Sequence, residues 1–311
     1  MRVEVKNLVR HFSRVRAVDD VSFAFGHGEV VGFVGPNGAG KTTTMRIMAT
    51  LDEPTSGDVF IDGVSVLDYP EDGRRQIGYM PDALPEHADM TAHEYVDFFG
   101  RAFGLHGAAL SRAVEEVEAF TGVGVIRDKT LKNLSKGMKQ RVSLARAMVH
   151  QPPLLIMDEP ANGLDPRARI ELRELVRALA ESGKAILISS HILTELSEMC
   201  SSVVIIERGR LAGHGTLASL TSNNGENLRR VLARPLGQTP EQLLRALLEL
   251  PGVVRAHVSA DGCVAEIAGG EDEVAAVLTA LVQRGVRLVE FRQEQADLED
   301  VFMTVTKGDL A

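Results

Sequence analysis

Gly35-Pro36-Asn37-Gly38-Ala39-Gly40-Lys41-Thr42 fits the pattern G-x-x-x-x-G-K-[ST] at every fixed position. Such a loop binds a ligand only when it joins a buried strand to the start of a helix, so it constrains the fold around it. Upstream, Val30-Val31-Gly32-Phe33-Val34 is a short apolar run of the kind that forms a buried strand. Downstream, Thr43-Thr44-Met45-Arg46-Ile47-Met48-Ala49 continues as a helix. The glycines let successive backbone N–H groups converge on phosphate oxygens. The helix start brings the positive end of its dipole to the same point. Lys41 is then expected to reach the β- and γ-phosphates, and the Thr42 hydroxyl to ligate Mg²⁺. The stretch predicts a nucleotide site.

The chain around it reads as two domains. At 311 residues and 44% hydrophobic composition it has enough apolar material for a sizeable core. No apolar run approaches the ~20 residues needed to span a bilayer, and the N-terminus lacks signal-peptide character. A cytosolic protein is expected, or one held at a membrane by a partner. Cys200 and Cys263 lie far apart without metal-ligand spacing and read as reduced packing residues. A net charge of −9 argues against broad binding to nucleic-acid phosphate.

Residues 2–34 read as strands, with alternation in Arg2-Val3-Glu4-Val5 and a turn at Gly26-His27-Gly28. Further strands are expected at 58–61 and 76–80. Residues 91–105, 108–120 and 136–149 carry helix-like apolar spacing, which predicts a helical insertion. Leu154-Leu155-Ile156-Met157 is a continuous apolar run, as are 185–190 and 203–206, marks of strands buried on both faces. Between them, 167–180 is an amphipathic helix with Leu172, Leu175, Val176 and Leu179 on one side. Strands alternating with helices imply a mainly parallel sheet. Ser222-Asn223-Asn224-Gly225-Glu226-Asn227 reads as a linker. Beyond it the order strand, helix, strand, strand, helix, strand suggests a small split-βαβ module, with 297–302 as a terminal helix.

Asp158-Glu159 follows the buried run 154–157. An aspartate at such a strand end is placed to hold the Mg²⁺ shell, and the neighbouring glutamate to polarise an attacking water.

Leu134-Ser135-Lys136-Gly137-Met138-Lys139-Gln140-Arg141 resembles the signature segment of ABC-type ATPases, and it precedes Asp158-Glu159 at that family's spacing. Over roughly residues 1–220 the chain is similar to the nucleotide-binding subunit of an ABC transporter. The resemblance implies an α/β P-loop NTPase fold: a RecA-like mixed sheet, an antiparallel β subdomain and a helical subdomain at about 86–150. An ATPase domain is expected over 1–221, and the linker and element order beyond it point to a small α+β accessory or regulatory domain over 222–311. The resemblance also assigns roles. Phe12 matches the aromatic that stacks on adenine. Val18, Gly35, Pro36, Asn37, Gly38, Ala39, Gly40, Lys41, Thr42 and Thr43 count as nucleotide-contacting positions. Ala161-Asn162-Gly163-Leu164-Asp165 resembles the loop coupling two active sites. His191 matches the switch histidine that contacts the γ-phosphate. Lys41, Glu159 and His191 form the catalytic set; Thr42, Asp158 and Asp82 form the metal set.

In this family two subunits pack head to tail. ATP lies between one glycine loop and the other subunit's signature segment, here Ser135, Lys136, Gly137 and Met138. The segment opens a helix, so its N–H groups and the Ser135 hydroxyl can face the γ-phosphate. The resemblance implies ATP and Mg²⁺ as cofactors, a second copy and a membrane permease as partners, no nucleic acid, and a place on the cytoplasmic face of the membrane. Two departures stand out. Asp82 replaces a usual glutamine, and Mg²⁺-dependent turnover is expected to survive with Asp82 near the metal. Lys136 and Met138 replace the common glycine and glutamine; Lys136 either adds charge near phosphate or lies on the surface.

The resemblance favours an exporter-type subunit whose permease is encoded separately, since the chain holds a single cassette and a tail similar to that group's. Residues 91–104 would face the permease. A soluble ABC ATPase acting on ribosomes, DNA or an assembly scaffold is the alternative. A regulatory module that binds ATP without hydrolysing it is a third reading, against which Glu159 speaks.

Overall fold

Alternating residues at the start of the chain and continuous apolar runs after them call for two kinds of sheet, and the computed structural model contains both. It describes residues 1–13, 15–84, 89–216, 219–220, 228–259 and 262–294. The chain divides into two compact units, one over Met1–Thr216 and a second beginning at Leu217.

In the first unit, β1 (Arg2–Phe12), β2 (Val15–Gly26), β4 (Ser56–Ile61) and β5 (Val64–Ser65) form an antiparallel sheet of order β2-β1-β4-β5. The remaining strands, β3 (Val30–Val34), β6 (Ile77–Met80), β7 (Leu154–Met157), β8 (Ala185–Ser190), β9 (Ser202–Glu207) and β10 (Arg210–Gly215), form a second sheet. Its order is β10-β9-β3-β8-β7-β6, parallel throughout except for the antiparallel edge strand β10. This is the mixed α/β architecture expected.

The apolar runs explain the inner positions. All five residues of β3, all four of β7 and all six of β8 are buried. A strand apolar on both faces is stable only where both faces are covered. One face is covered by the antiparallel sheet and α1 (Lys41–Met48). Val31, Phe33, Leu154, Ile156 and Leu187 meet Val3, Val5, Phe23, Phe25, Met45 and Met48 in a single core. Burying a side chain of this size contributes about 1.5–3 kcal/mol.

Between β6 and β7 lie α3 (Ala92–Ala102), α4 (Gly107–Thr121) and α5 (Lys136–Met148), with their own core around Tyr95, Val96, Val114, Val142 and Ala145. Thr91 starts α3 through a reciprocal cap. Its Oγ1 accepts from Glu94 N–H at 3.2 Å, and its own N–H donates to Glu94 Oε2 at 2.8 Å. After β7 come α6 (Pro166–Glu181) and, past β8, the short α7 (Leu193–Ser197).

The second unit runs β11 (Leu228–Pro235), α8 (Pro240–Leu248), β12 (Val253–Ser259), β13 (Gly262–Ala268), α9 (Glu271–Gln283) and β14 (Leu288–Glu294). Its antiparallel sheet has the order β12-β13-β11-β14. Val231, Ala233, Ala265 and Ile267 on one sheet face pack with Leu243 and Leu247 of α8 and Val277 and Leu281 of α9. This is the split-βαβ arrangement that the element order suggested.

Several elements were not anticipated, among them β5 and α7. β1 runs on past Val5 to Phe12, inside the stretch expected to form strands, although register shifts at Val5/Leu8, Leu8/Arg10 and Arg10/His11 break its alternation. A further helix, α2 (Pro70–Gln76), has only Gly73 buried and so shows no apolar stripe. β10 carries two glycines, and its exposed Arg210, Ala212 and His214 alternate with half-buried residues. The linker at 222–227, the boundary between 221 and 222 and the terminal helix at 297–302 lie outside the described residues. No helix among the described residues is long and apolar enough to cross a membrane.

Candidate functional site

Because β3, β8, β7 and β6 are parallel neighbours, their C-terminal ends lie along one edge, where ligands of open α/β sheets bind. Val34 is in register with Ser190, and Met157 with both Ile188 and Met80. The glycine loop, Asp158-Glu159, His191 and Asp82 therefore leave the sheet side by side. Chain positions far apart in sequence become one site through strand order.

The loop needs its glycines for space. A Cβ on Gly35 would collide with the carbonyl oxygen of Ile206, and one on Gly40 with that of Ala17. Gly40 also sits at φ 104, on the side of backbone space that residues with a Cβ avoid. Pro36, Asn37 and Gly38 are exposed, while Gly35, Ala39 and Gly40 are buried. α1 begins at Lys41, with Thr42 exposed and Thr43 half-buried beside it.

Lys41 is 6% exposed. Its ammonium donates to the carbonyl oxygens of Gly35 at 2.6 Å and Pro36 at 3.3 Å, and lies 3.9 Å from Glu159 Oε1. Burial pushes its pKa down, while Glu159 and Asp158 pull it back up. A lysine held by loop carbonyls is a cation kept ready at the point where the loop's N–H groups gather.

Asp158 is 3% exposed. Its N–H donates to Met80 O at 2.8 Å, and its Oδ1 accepts from the Ser189 hydroxyl at 2.7 Å. Its Oδ2 has no hydrogen-bond partner among the described residues. Glu159 has φ 48, a left-handed conformation that costs a residue with a Cβ about 1–2 kcal/mol. Its N–H donates to Ser189 Oγ at 2.9 Å. Its Oε2 meets His191 Nδ1 at 2.8 Å and accepts the His191 N–H at 3.3 Å. With Nδ1 on the carboxylate, Nε2 of this exposed ring is left for a ligand.

Other expected residues fall around this centre. Asp82 is exposed; its Oδ1 accepts from Asn162 Nδ2 at 3.2 Å, and its carbonyl accepts from Gln140 Nε2 at 3.2 Å. Ser135 is the N-cap of α5, accepting from Met138 N–H at 3.3 Å. Lys136 is exposed and crosses Gly163 so closely that a Cβ there would come 2.6 Å from its Nζ. Beside it, Gly137 lies near Ala168, and the Met138 side chain packs on the α3–α5 core. Asp165 caps α6, its Oδ1 accepting from Ala168 N–H at 2.9 Å. Phe12 ends β1 with its ring 44% exposed, and the Arg10 guanidinium lies 4.5 Å from the ring centroid. Val18 does not reach this surface: it is fully buried in the core between the sheets.

Sequence reading missed Ser189, which joins Asp158 to Glu159, and the Asp82–Asn162 contact. A signal for the first existed. Two serines end a strand that is otherwise apolar, and a hydroxyl in so buried a place needs partners.

Residues 18–162 match the family model described as ABC transporter. The uncharacterised ABC transporter ATP-binding protein YxlF of Bacillus subtilis (strain 168) is 33% identical over 308 residues, 97% of this chain and 99% of that protein. The daunorubicin/doxorubicin resistance ATP-binding protein DrrA of Streptomyces peucetius is 32% identical, covering 98% of this chain and 92% of its own. A solved structure of an ATP-binding subunit of an ABC transporter superposes with a TM-score of 0.66 at 35% identity, over 72% of this chain and 94% of that one. The chain belongs to the ATP-binding proteins of ABC transporters, a family of ATPases.

Proposed function

We propose that this chain is the ATP-hydrolysing subunit of an exporter-type ABC transporter, working as a head-to-tail pair on a separately encoded permease at the cytoplasmic face of the membrane. The observation that carries the reading is the meeting of Lys41, Glu159 and His191 at one sheet edge, with Nζ–Oε1 3.9 Å and Nδ1–Oε2 2.8 Å. These groups divide the work. The glycine loop and the start of α1 bind the phosphates, and Lys41 exchanges its carbonyl partners for phosphate oxygens. Glu159 orients and polarises the water. His191, held by Glu159, presents Nε2 to the γ-phosphate. Phe12 offers an exposed ring for the base.

Asp158 Oδ2 and the exposed Thr42 hydroxyl supply hard oxygen donors of the kind Mg²⁺ takes alongside phosphate oxygens. Among the described residues no group of three or more His, Cys, Asp or Glu that could hold a metal ion is present. When bound, Mg²⁺ neutralises charge developing on the transferred phosphoryl group.

Pairing is supported by the exposed Ser135 and Lys136 at the start of α5, where helix N–H groups can meet a γ-phosphate carried by another subunit. Glu159→Gln is expected to accumulate as an ATP-dependent dimer in sedimentation, and a membrane permease is expected to co-purify with the wild-type chain. A monomer at saturating ATP rejects the pairing, and co-purification with ribosomes or DNA in place of a permease rejects the transporter role.

A further inference from the structure

The end of β8 holds a group that these roles leave unused. Ser189 is fully buried, and its hydroxyl serves two neighbours at once. It donates to Asp158 Oδ1 at 2.7 Å and accepts the Glu159 N–H at 2.9 Å. A hydroxyl carries one donor and two acceptor positions, so both bonds form together.

What it joins is the metal-holding carboxylate and the water-polarising one. Taking Oδ1 leaves Asp158 Oδ2 as the oxygen that would hold a cation. Holding the Glu159 N–H pins a backbone that would otherwise leave its left-handed conformation at φ 48. The Glu159 carbonyl accepts from Asn162 N–H at 3.1 Å, closing the turn on its other side. Two residues beyond Ser189 on the same segment, His191 takes the Glu159 carboxylate. One strand end therefore fixes Glu159 through its backbone and its side chain.

We infer that Ser189 is a positioning residue for the hydrolytic site, setting the orientation of Asp158 and Glu159 through a single hydroxyl. The inference rests on the proposed roles of those two residues. In Ser189→Ala the Asp158 Oδ1 and the Glu159 N–H lose their partner in a place closed to solvent. Lys41 and the glycine loop keep theirs.

The test uses the full chain, with Ser189→Ala and Ser189→Thr. Thr retains the hydroxyl. Mn²⁺ affinity in the presence of a non-hydrolysable ATP analogue is read by electron paramagnetic resonance, and turnover is read separately. Ser189→Ala is expected to lose on the order of 10- to 100-fold in Mn²⁺ affinity and in kcat, with KM for ATP within about twofold. Ser189→Thr is expected to recover most of both. Ser189→Ala with Mn²⁺ affinity and kcat within about twofold of wild type overturns the inference. So does a loss in Ser189→Thr equal to that in Ser189→Ala, which assigns the effect to packing. A wild-type chain without turnover overturns the hydrolytic reading instead, and the Mn²⁺ measurement still decides the role of Ser189.

Discussion

Lys41→Met separates what the lysine does for the fold from what it does for nucleotide. In the wild-type chain the ammonium is 6% exposed and makes hydrogen bonds to two loop carbonyls. Bonds from a charged donor contribute about 1.5–3 kcal/mol each. Against them stands the cost of taking an ammonium out of water, several kcal/mol. The lowered pKa says that burial outweighs the attraction of Glu159 and Asp158. The folded pKa lies below the unfolded one, so at neutral pH the charged lysine costs stability that a methionine does not. Methionine fills a similar volume; the freed carbonyl of the exposed Pro36 can turn to water, while that of the buried Gly35 loses this partner. The opposing effects nearly cancel, and Lys41→Met is expected to change nucleotide-free stability by less than about 1.5 kcal/mol. Nucleotide binding has no such compensation. Removing one partner of a buried charge pair costs about 2–5 kcal/mol, a thirtyfold to several-thousandfold loss of ATP affinity. Urea unfolding without nucleotide and titration with a fluorescent ATP analogue measure the two quantities on one sample. A destabilisation above about 3 kcal/mol, or ATP affinity within about threefold of wild type, contradicts these two roles of Lys41.

Gly40→Ala should cost about 2–4 kcal/mol in urea unfolding and weaken ATP binding, because its Cβ meets Ala17 O and its φ of 104 is strained; a neutral effect contradicts the close approach. His150 stacks on Phe103 at 3.6 Å with Nε2 3.2 Å from Ile77 O, and burial pushes its pKa down to about 4. The unfolded chain takes up that proton first as pH falls below about 6.5, so folded stability drops between pH 6.5 and 4. The drop is roughly 2–3 kcal/mol; His150→Gln should show a correspondingly flatter stability curve over this range, and parallel curves contradict the assignment. Asp82→Asn leaves an oxygen for Asn162 and should keep turnover within about threefold, whereas Asp82→Ala, losing about 1 kcal/mol of hydrogen bond, should fall about fivefold. Equal losses in both would give the Asp82 charge the larger part.

Much of the site was legible because its parts are local. A glycine loop between an apolar run and a helix start, and Asp158-Glu159 after a second apolar run, can each be read within a dozen residues. Strand order then brings Lys41, Glu159 and His191 together, and periodicity gives the strands without giving their order. The hidden parts depend on three-dimensional neighbours. Ser189 acquires its meaning only when β8 lies beside β7, and Asp82 meets Asn162 only across the sheet edge. Val18 shows the reverse: the resemblance put it with the nucleotide residues, while it is buried in the core, out of phase with the buried Val21, Phe23 and Phe25 further along β2. Most elements followed their apolar spacing; α2, with only a glycine buried, had none to follow.

In this reading the sheet edge hydrolyses ATP with Glu159 acting on the water. Steady-state phosphate release by the purified chain, compared with Glu159→Gln at saturating Mg²⁺–ATP and alongside ATP binding, tests it most directly. Wild-type turnover is expected to fall at least about 100-fold in Glu159→Gln, with ATP affinity unchanged or tighter. Turnover in Glu159→Gln equal to wild type contradicts it.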